Sequence, residues 1–183
     1  MFAVTPRLLL RPGWPEDAPA LNQAINDKAI ISNLARAPWP YAMSDAHKFL
    51  SLPNEASGPR WLIFQRQGGA PMLVGCIGID RMESGDVELG YWIGRDHWGR
   101  GFATEAGGAV LQNARSLGHQ KLVASHFIDN PVSGSVLRKL GFQPTGQTVP
   151  RFSLGRDGLV DAVEYVCMLG TKTRTDHAES LAA

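Results

Sequence analysis

The chain has 183 residues, 44% of them hydrophobic and 19% charged, with a formal net charge of +1. That length and apolar share suit one folded domain with a real core and exclude a disordered chain. The near-zero charge excludes a bulk field for nucleic acid or an anionic membrane, and no run of about 18 apolar residues is present to form a transmembrane helix.

The opening, MFAVTPRLLLRP, has neither a basic start nor a long apolar stretch, so no secretory signal is expected and a cytoplasmic protein is. Arg7–Arg11 reads as a first strand, ended by Pro12 and Gly13. Pro15, Glu16 and Asp17 suit a helix start, and Leu21, Ala24, Ile25 and Lys28 carry the helical period. Residues 35–43 are aromatic and broken by prolines, hence loop. Ser44 and Asp45 predict the cap of a short helix that ends before Pro53. Trp61–Gln67 is a predicted strand, and Gly68–Gly69 turns it into a hairpin with Met72–Asp80.

Ser84, Gly85 and Asp86 then turn into a strand over Val87–Gly94. A glycine-rich loop follows, and a helix over about 103–117 shows one apolar stripe, Ala103, Ala106, Val110, Ala114 and Leu117, with Gly118 as its stop. Lys121–Asp129 is a strand, Asn130–Pro131 opens a helix that ends at Gly141, Phe142 begins another strand, and Asp161–Leu169 is the last. These elements form one expected domain over 1–170, and the polar residues 171–183 read as a flexible tail. Cys76 and Cys167 sit in apolar, strand-like runs and read as buried free thiols, though the sequence leaves contact between them open. Hairpins come first and strand–helix units later. That order predicts an α+β fold, a mixed sheet with helices on its faces.

The segment Tyr91–Ala106, YWIGRDHWGRGFATEA, carries the most chemistry. A strand runs into a loop holding Gly99 and Gly101, and the loop runs into a helix. Glycine lets backbone turn tightly and approach a ligand without a Cβ in the way. The free N–H groups of the helix's first turn, with the macrodipole, make an anion site that needs no lysine cluster. Arg100 adds one charge-assisted contact. An ordinary strand-to-helix turn carries the same two glycines. No Gly-Lys-Ser/Thr is present, which excludes a nucleoside-triphosphate loop, and Thr104 stands where a dinucleotide fold has its third glycine.

The string WGRGFATEA resembles the pyrophosphate-binding motif of the GNAT acetyltransferase superfamily, and most resembles its RimJ/RimL-type N-acetyltransferase branch. Gly101 and Ala103 match the last two fixed positions of the pattern Gln/Arg-x-x-Gly-x-Gly/Ala, while Trp98 stands where Gln or Arg is commoner. A second block, Asn130, Ser133, Leu137, Lys139, Gly141 and Phe142, resembles that branch's Asn-x-x-Ser helix, and the resemblance spans roughly residues 6–169. It implies a GNAT fold, α+β, with a mixed, mostly antiparallel sheet of about 6–7 strands that splays at its centre, helices on both faces. It implies acetyl-CoA as co-substrate and no metal. The backbone of Tyr91, Trp92 and Ile93 would pair with the pantetheine arm, the amides of Gly99, Arg100, Gly101, Phe102, Ala103 and Thr104 would hold the pyrophosphate, and Asn130 would reach the sulfur region. Tyr91–Ile93 also suits an ordinary core strand, Asn130 a plain helix N-cap, and Trp98 a packing role against the helix.

Transfer to an amine needs a neutral nitrogen, a stabilised oxyanion and a protonated leaving thiolate. Neutralising a lysine amine near pH 7.4 costs about 4 kcal/mol, an α-amine under about 1. A strand N–H near Trp92 or Ile93 suits the oxyanion. Glu88, on the strand that feeds the cradle, is the expected base, and by alternation it shares a face with Gly90 and Trp92; a merely paired carboxylate fits it equally. Glu105 reads as structural and His126 as a hydrogen-bonded core residue. Ser133 is the expected proton donor to sulfur, with first-turn capping as its bland alternative. The resemblance leads to a tyrosine where this chain has Leu137 and to a glutamate where it has Ser125. These departures leave positioning and Ser133 as the main sources of rate. Trp39 and Tyr41, with Phe152, are expected to wall the amine site. The expected partners are acetyl-CoA and an amine acceptor, with neither nucleic acid nor membrane; a homodimer is allowed. The competing reading is a GNAT-fold module that binds acyl-CoA without turning it over.

Overall fold

A computed structural model describes residues 2–53, 58–66 and 69–170. The chain forms β1 (Ala3–Val4), β2 (Leu8–Arg11), α1 (Ala18–Ile25), α2 (Lys28–Ile31), α3 (Met43–Ser51), β3 (Arg60–Gln65), β4 (Met72–Arg81), β5 (Val87–Ile93), α4 (Phe102–Ser116), β6 (Lys121–Phe127), α5 (Pro131–Lys139), β7 (Gln143–Ser153) and β8 (Gly158–Met168). Among the described residues the strands make one 8-stranded sheet in the order β1-β2-β3-β4-β5-β6-β8-β7. Neighbours run antiparallel except β5 and β6, which are parallel.

Alternation along the strands feeds two core layers. Val87, Leu89 and Ile93 of β5 join α4 and α5 through Phe102, Val110 and Leu137. Trp92 points the other way and joins α1–α3 through Leu21, Ile25 and Ala46. The sheet is thus covered by helices on both faces, as the α+β reading requires. Cys167 lies in the first layer and Cys76 in the second, and both thiols are free.

The 8 strands exceed the six to seven expected. The additional strand is two-residue β1, too short to show a period, whereas β7 is the strand expected from Phe142. The first helix is also corrected. Pro15–Asp17 is a 3-10 turn, α1 stops at Ile25, and the Asp27 carboxylate accepts from Ala29 N to cap a separate α2. Ser44 does not cap α3. Ala42 holds the N-cap position, and Asp45, inside the first turn, accepts from Ala42 N at 2.9 Å. β8 begins at Gly158, three residues earlier than expected. Gly68 of the expected β3–β4 turn and the expected tail lie outside the described residues.

Candidate active site

The centre of the sheet opens. β4 and β5 pair over seven residues from Gly75↔Ile93 to Arg81↔Val87, whereas β5 and β6 are registered at Glu88↔Val123 alone. Beyond Glu88 the two parallel strands part, while β6 stays paired along its whole length with β8 on its other edge. The β5 edge over Tyr91–Ile93 therefore faces a gap with main-chain groups available to a ligand.

At the far end of β5 the chain turns through Gly99 (φ 72°) and Gly101 (φ 77°) into α4, with Gly101 as N-cap. Left-handed φ at both positions is what glycine supplies at no steric cost. The N–H groups of Phe102, Ala103 and Thr104 have no intrahelical acceptor. Trp98 donates its indole N–H to Ile93 O at 2.7 Å and so fixes the exit from β5. Glu105 clips the cradle to the sheet edge: it accepts from Thr5 Oγ1 (2.6 Å), Arg7 N (2.9 Å) and Arg7 Nε (2.6 Å). Burial raises its carboxyl pKa, but these bonds outweigh burial and hold it below the usual glutamate value. Arg7 also donates to Arg100 O at 2.9 Å. The Arg100 guanidinium is exposed beside His97.

Two cavities meet at the gap. One, about 350 Å³, is lined by Tyr91, Trp92, Ile93, Gly99, Gly101, Phe102, Ala103, Thr104, Asn130 and Ser133, but not by Arg100. The other, about 410 Å³, lies on the α1–α3 side and takes in Tyr41, Cys76, Glu88, Gly90, Ser125, His126, Leu137 and Arg151. Tyr91, Trp92, Asn130 and Ser133 line both. Tyr41 is buried in the second wall, whereas Trp39 (39% exposed) and Phe152 (51% exposed) do not line it.

At the junction, Asn130 caps α5 and donates from Nδ2 to Ser133 Oγ at 3.0 Å. That bond occupies the Ser133 oxygen as acceptor and leaves its own proton available. The Tyr91 hydroxyl donates to Ser133 O at 3.4 Å, and burial raises its pKa, so it stays protonated. Glu88 accepts from Arg151 Nη1 at 2.5 Å and from Ser125 Oγ at 3.2 Å, both on Oε1, and among the described residues Oε2 has no partner. His126 bonds Phe127 O and the Tyr165 hydroxyl, in keeping with a core role. Burial pushes the Cys76 thiol up to about 12, so it is no nucleophile at neutral pH.

The second cavity has a roof. The β7–β8 tip docks on residues 32–35 through Ser153 Oγ to Leu34 O (3.0 Å) and Leu154 N to Ala35 O (2.8 Å). Arg156 adds a bond to Ser32 O and a fork onto Asp129, whose carboxyl the arginine holds below its usual range.

A glycine turn into a helix beside a splayed parallel pair also defines a known family. The family model described as Acetyltransferase (GNAT) domain matches residues 7–143. This chain belongs to the GNAT acetyltransferases. It is 32% identical over 156 residues to the uncharacterized N-acetyltransferase YoaA of Bacillus subtilis, covering 80% of this chain and 86% of that one. Among solved structures, a GNAT-family acetyltransferase from Bacillus anthracis superposes with a TM-score of 0.78 at 21% identity, covering 92% and 99% of the two chains. RimL, a ribosomal L7/L12 α-N-protein acetyltransferase solved with coenzyme A, does so with a TM-score of 0.76 at 20% identity, covering 92% and 98%.

In this GNAT chain, sequence reasoning missed Arg151, Arg156 and the Tyr91 side chain. Arg151 comes from β7, where weak alternation gives no sign of which way it points. Tyr91 stood out only for its backbone. Its place on the face opposite Trp92 was the available signal, since α5 packs there. Among the described residues no group of three His, Cys, Asp or Glu is placed to hold a metal, and no helix is long and apolar enough to cross a membrane.

Proposed function

We propose that this GNAT enzyme moves an acetyl group from acetyl-CoA to a primary amine by direct attack, with Glu88 as base and Ser133 as proton donor. One observation carries the reading: a cavity under a glycine-built helix N-terminus and a second, roofed cavity meet through a splay in the sheet at Tyr91, Trp92, Asn130 and Ser133. A long donor with an anionic end fits the first, an acceptor the second. The amides of Phe102–Thr104 suit a diphosphate, and the free β5 edge suits an amide-bearing arm laid down like an added strand. The coenzyme A bound to RimL supports this choice of donor.

Glu88 Oε2 takes a proton from the incoming ammonium, directly or through one water. The nitrogen then attacks the thioester carbon, and a main-chain N–H near Trp92 or Ile93 meets the oxyanion. As the C–S bond breaks, Ser133 hands its proton to sulfur and regains one from the acylated nitrogen. The net proton leaves by way of Glu88. Arg151 occupies Glu88 Oε1, so the proton transfer falls to Oε2.

Leu137, a buried side chain that lines the second cavity and cannot donate a proton, favours the second reading, an acyl-CoA-binding module without turnover. The two separate in one experiment. Acetyl-CoA affinity is measured by calorimetry, and free thiol is followed across a panel of amines and N-terminal peptides. Binding with amine-dependent thiol release is the expected result. Tight binding without release on any amine gives the second reading, and no binding sinks both.

A further inference from the structure

We infer that Gly90 is the specificity-determining floor of the acceptor cavity and that it admits a primary amine carried on a flat, apolar body. The inference rests on the acetyl-transfer reading above and names its acceptor class. Gly90 lies in the middle of β5, opposite Gly78 of β4. On that face the row below is Asp80 and Glu88 and the row above is Cys76 and Trp92.

Nothing in the fold asks for glycine at 90. Its φ is not positive, unlike that of Gly99 or Gly101. A Cβ built on it meets nothing within 4 Å, whereas one on Gly78 comes within 2.7 Å of Arg60 Cγ and 3.1 Å of Arg60 Cα. Gly78 is therefore explained by its β3 neighbour and Gly90 is not. A glycine inside a strand gives up propensity and packing, and often marks where a ligand approaches the backbone. Here it leaves main chain exposed at the centre of the sheet, between buried Leu89 and half-buried Tyr91.

The walls around this bare patch describe what lies on it. Tyr41, Phe49, Trp92 and Phe127 are aromatic, and Leu52 and Leu154 are 43% and 46% exposed although they line the cavity. Apolar surface left open inside a roofed cavity fits a ligand that covers it. The carboxylates argue against a polycation. Asp80 holds Arg36, Glu88 holds Arg151, and Asp45 accepts from Ala42 N, so no row of unpaired carboxylates is left for a polyamine or an aminoglycoside. A planar body resting on Gly90 beside Trp92 puts its amine near Glu88 and the splay.

The test uses 2-phenylethylamine and tryptamine as probes, with spermidine and a free-N-terminal peptide as contrasts. Thiol release gives kcat/KM, and calorimetry gives acetyl-CoA affinity and amine affinity with CoA present. The arylalkylamines are expected to exceed spermidine and the peptide in kcat/KM by at least about tenfold, and Gly90→Val to lower the arylalkylamine value by at least about tenfold, with Gly90→Ala in between. Acetyl-CoA affinity and melting temperature are expected to hold in both variants. Wild-type kcat/KM and amine affinity in Gly90→Val overturn the inference. So does a preference for spermidine or the peptide, or a collapse of stability in Gly90→Ala. Acetyl-CoA binding with no arylalkylamine binding overturns this inference alone; failure to bind acetyl-CoA overturns the reading beneath it.

Discussion

Arg151 Nη1 lies 2.5 Å from Glu88 Oε1, although β6 and β8 stand between their two strands in the sheet. Three strand spacings in a flat sheet amount to about 14 Å. The contact therefore requires β7 to curl over the face. The β7–β8 register shifts between Pro144 and Thr148, with Gly146 at φ 83°. A bulge of this kind bends its strand and sharpens its twist. The bend carries the hairpin tip to residues 32–35 and roofs the second cavity, so one arginine joins Glu88 on the sheet floor to the roof.

Glu88→Gln and Arg151→Gln are expected to part rate from stability. The glutamine at 88 still accepts from Arg151 but takes no proton. Its kcat/KM should fall by about 100-fold or more, the lower range for loss of a general base, with little change in melting temperature. Arg151→Gln removes a charge-assisted bond from a half-buried carboxylate and is expected to cost about 1–3 kcal/mol, read by urea denaturation. Unchanged turnover in Glu88→Gln would reduce that residue to an anchor for Arg151.

Ser133→Ala tests the proton donor against its capping alternative. The Ser133 backbone N–H, not its hydroxyl, is what Asn130 Oδ1 receives (3.4 Å). Losing the hydroxyl should therefore leave α5 intact while lowering kcat by about tenfold or more, with the KM for acetyl-CoA little changed. Asn130→Ala removes the cap itself and is expected to cost about 1 kcal/mol of stability. If Ser133→Ala loses stability and keeps kcat, its part is structural.

Much of this was legible because the relevant signals are local. The glycine turn, the apolar stripe of α4 and the Asn130–Pro131 helix start are set by residues within a few positions of one another. The β5 alternation correctly put Glu88, Gly90 and Trp92 on one face. What could not be read is long-range. The bond between Arg151 and Glu88 spans 63 positions, and that between Arg156 and Ser32 spans 124. Both depend on a bulge in a strand whose polar, proline-bearing sequence hides its pairing. Trp39 illustrates the converse, since an aromatic loop residue next to Tyr41 looks like wall from sequence yet stands outside the cavity.

Gly101→Val bears on the donor site. At φ 77° a β-branched residue is strained, and its side chain would enter the turn where main-chain amides must approach an anion. The expected outcome is a rise in the KM for acetyl-CoA of about tenfold or more, one lost hydrogen bond to a charged group being worth about 1.5–3 kcal/mol. The amine KM should change far less. Initial-rate kinetics with each substrate varied in turn distinguish this from a general loss of folded enzyme, which lowers kcat alone.

Glu105 gives the cradle a pH dependence with a definite sign. Its carboxyl is held below the usual value near 4.5, because the bonds from Thr5 and Arg7 favour the ionised form by more than burial opposes it. A depressed folded pKa adds stability that is fully present above the unfolded value and is lost as pH falls through the folded one. Glu105→Gln should therefore cost about 1–3 kcal/mol at pH 7, and the gap to the wild type should narrow once pH drops below about 4.3. Urea midpoints at the two pH values check the sign. Because Arg7 also reaches Arg100 O, the same variant should weaken acetyl-CoA binding at pH 7. A stability gap that widens in acid would mean that Glu105 is not the charged clip between the β1–β2 turn and α4.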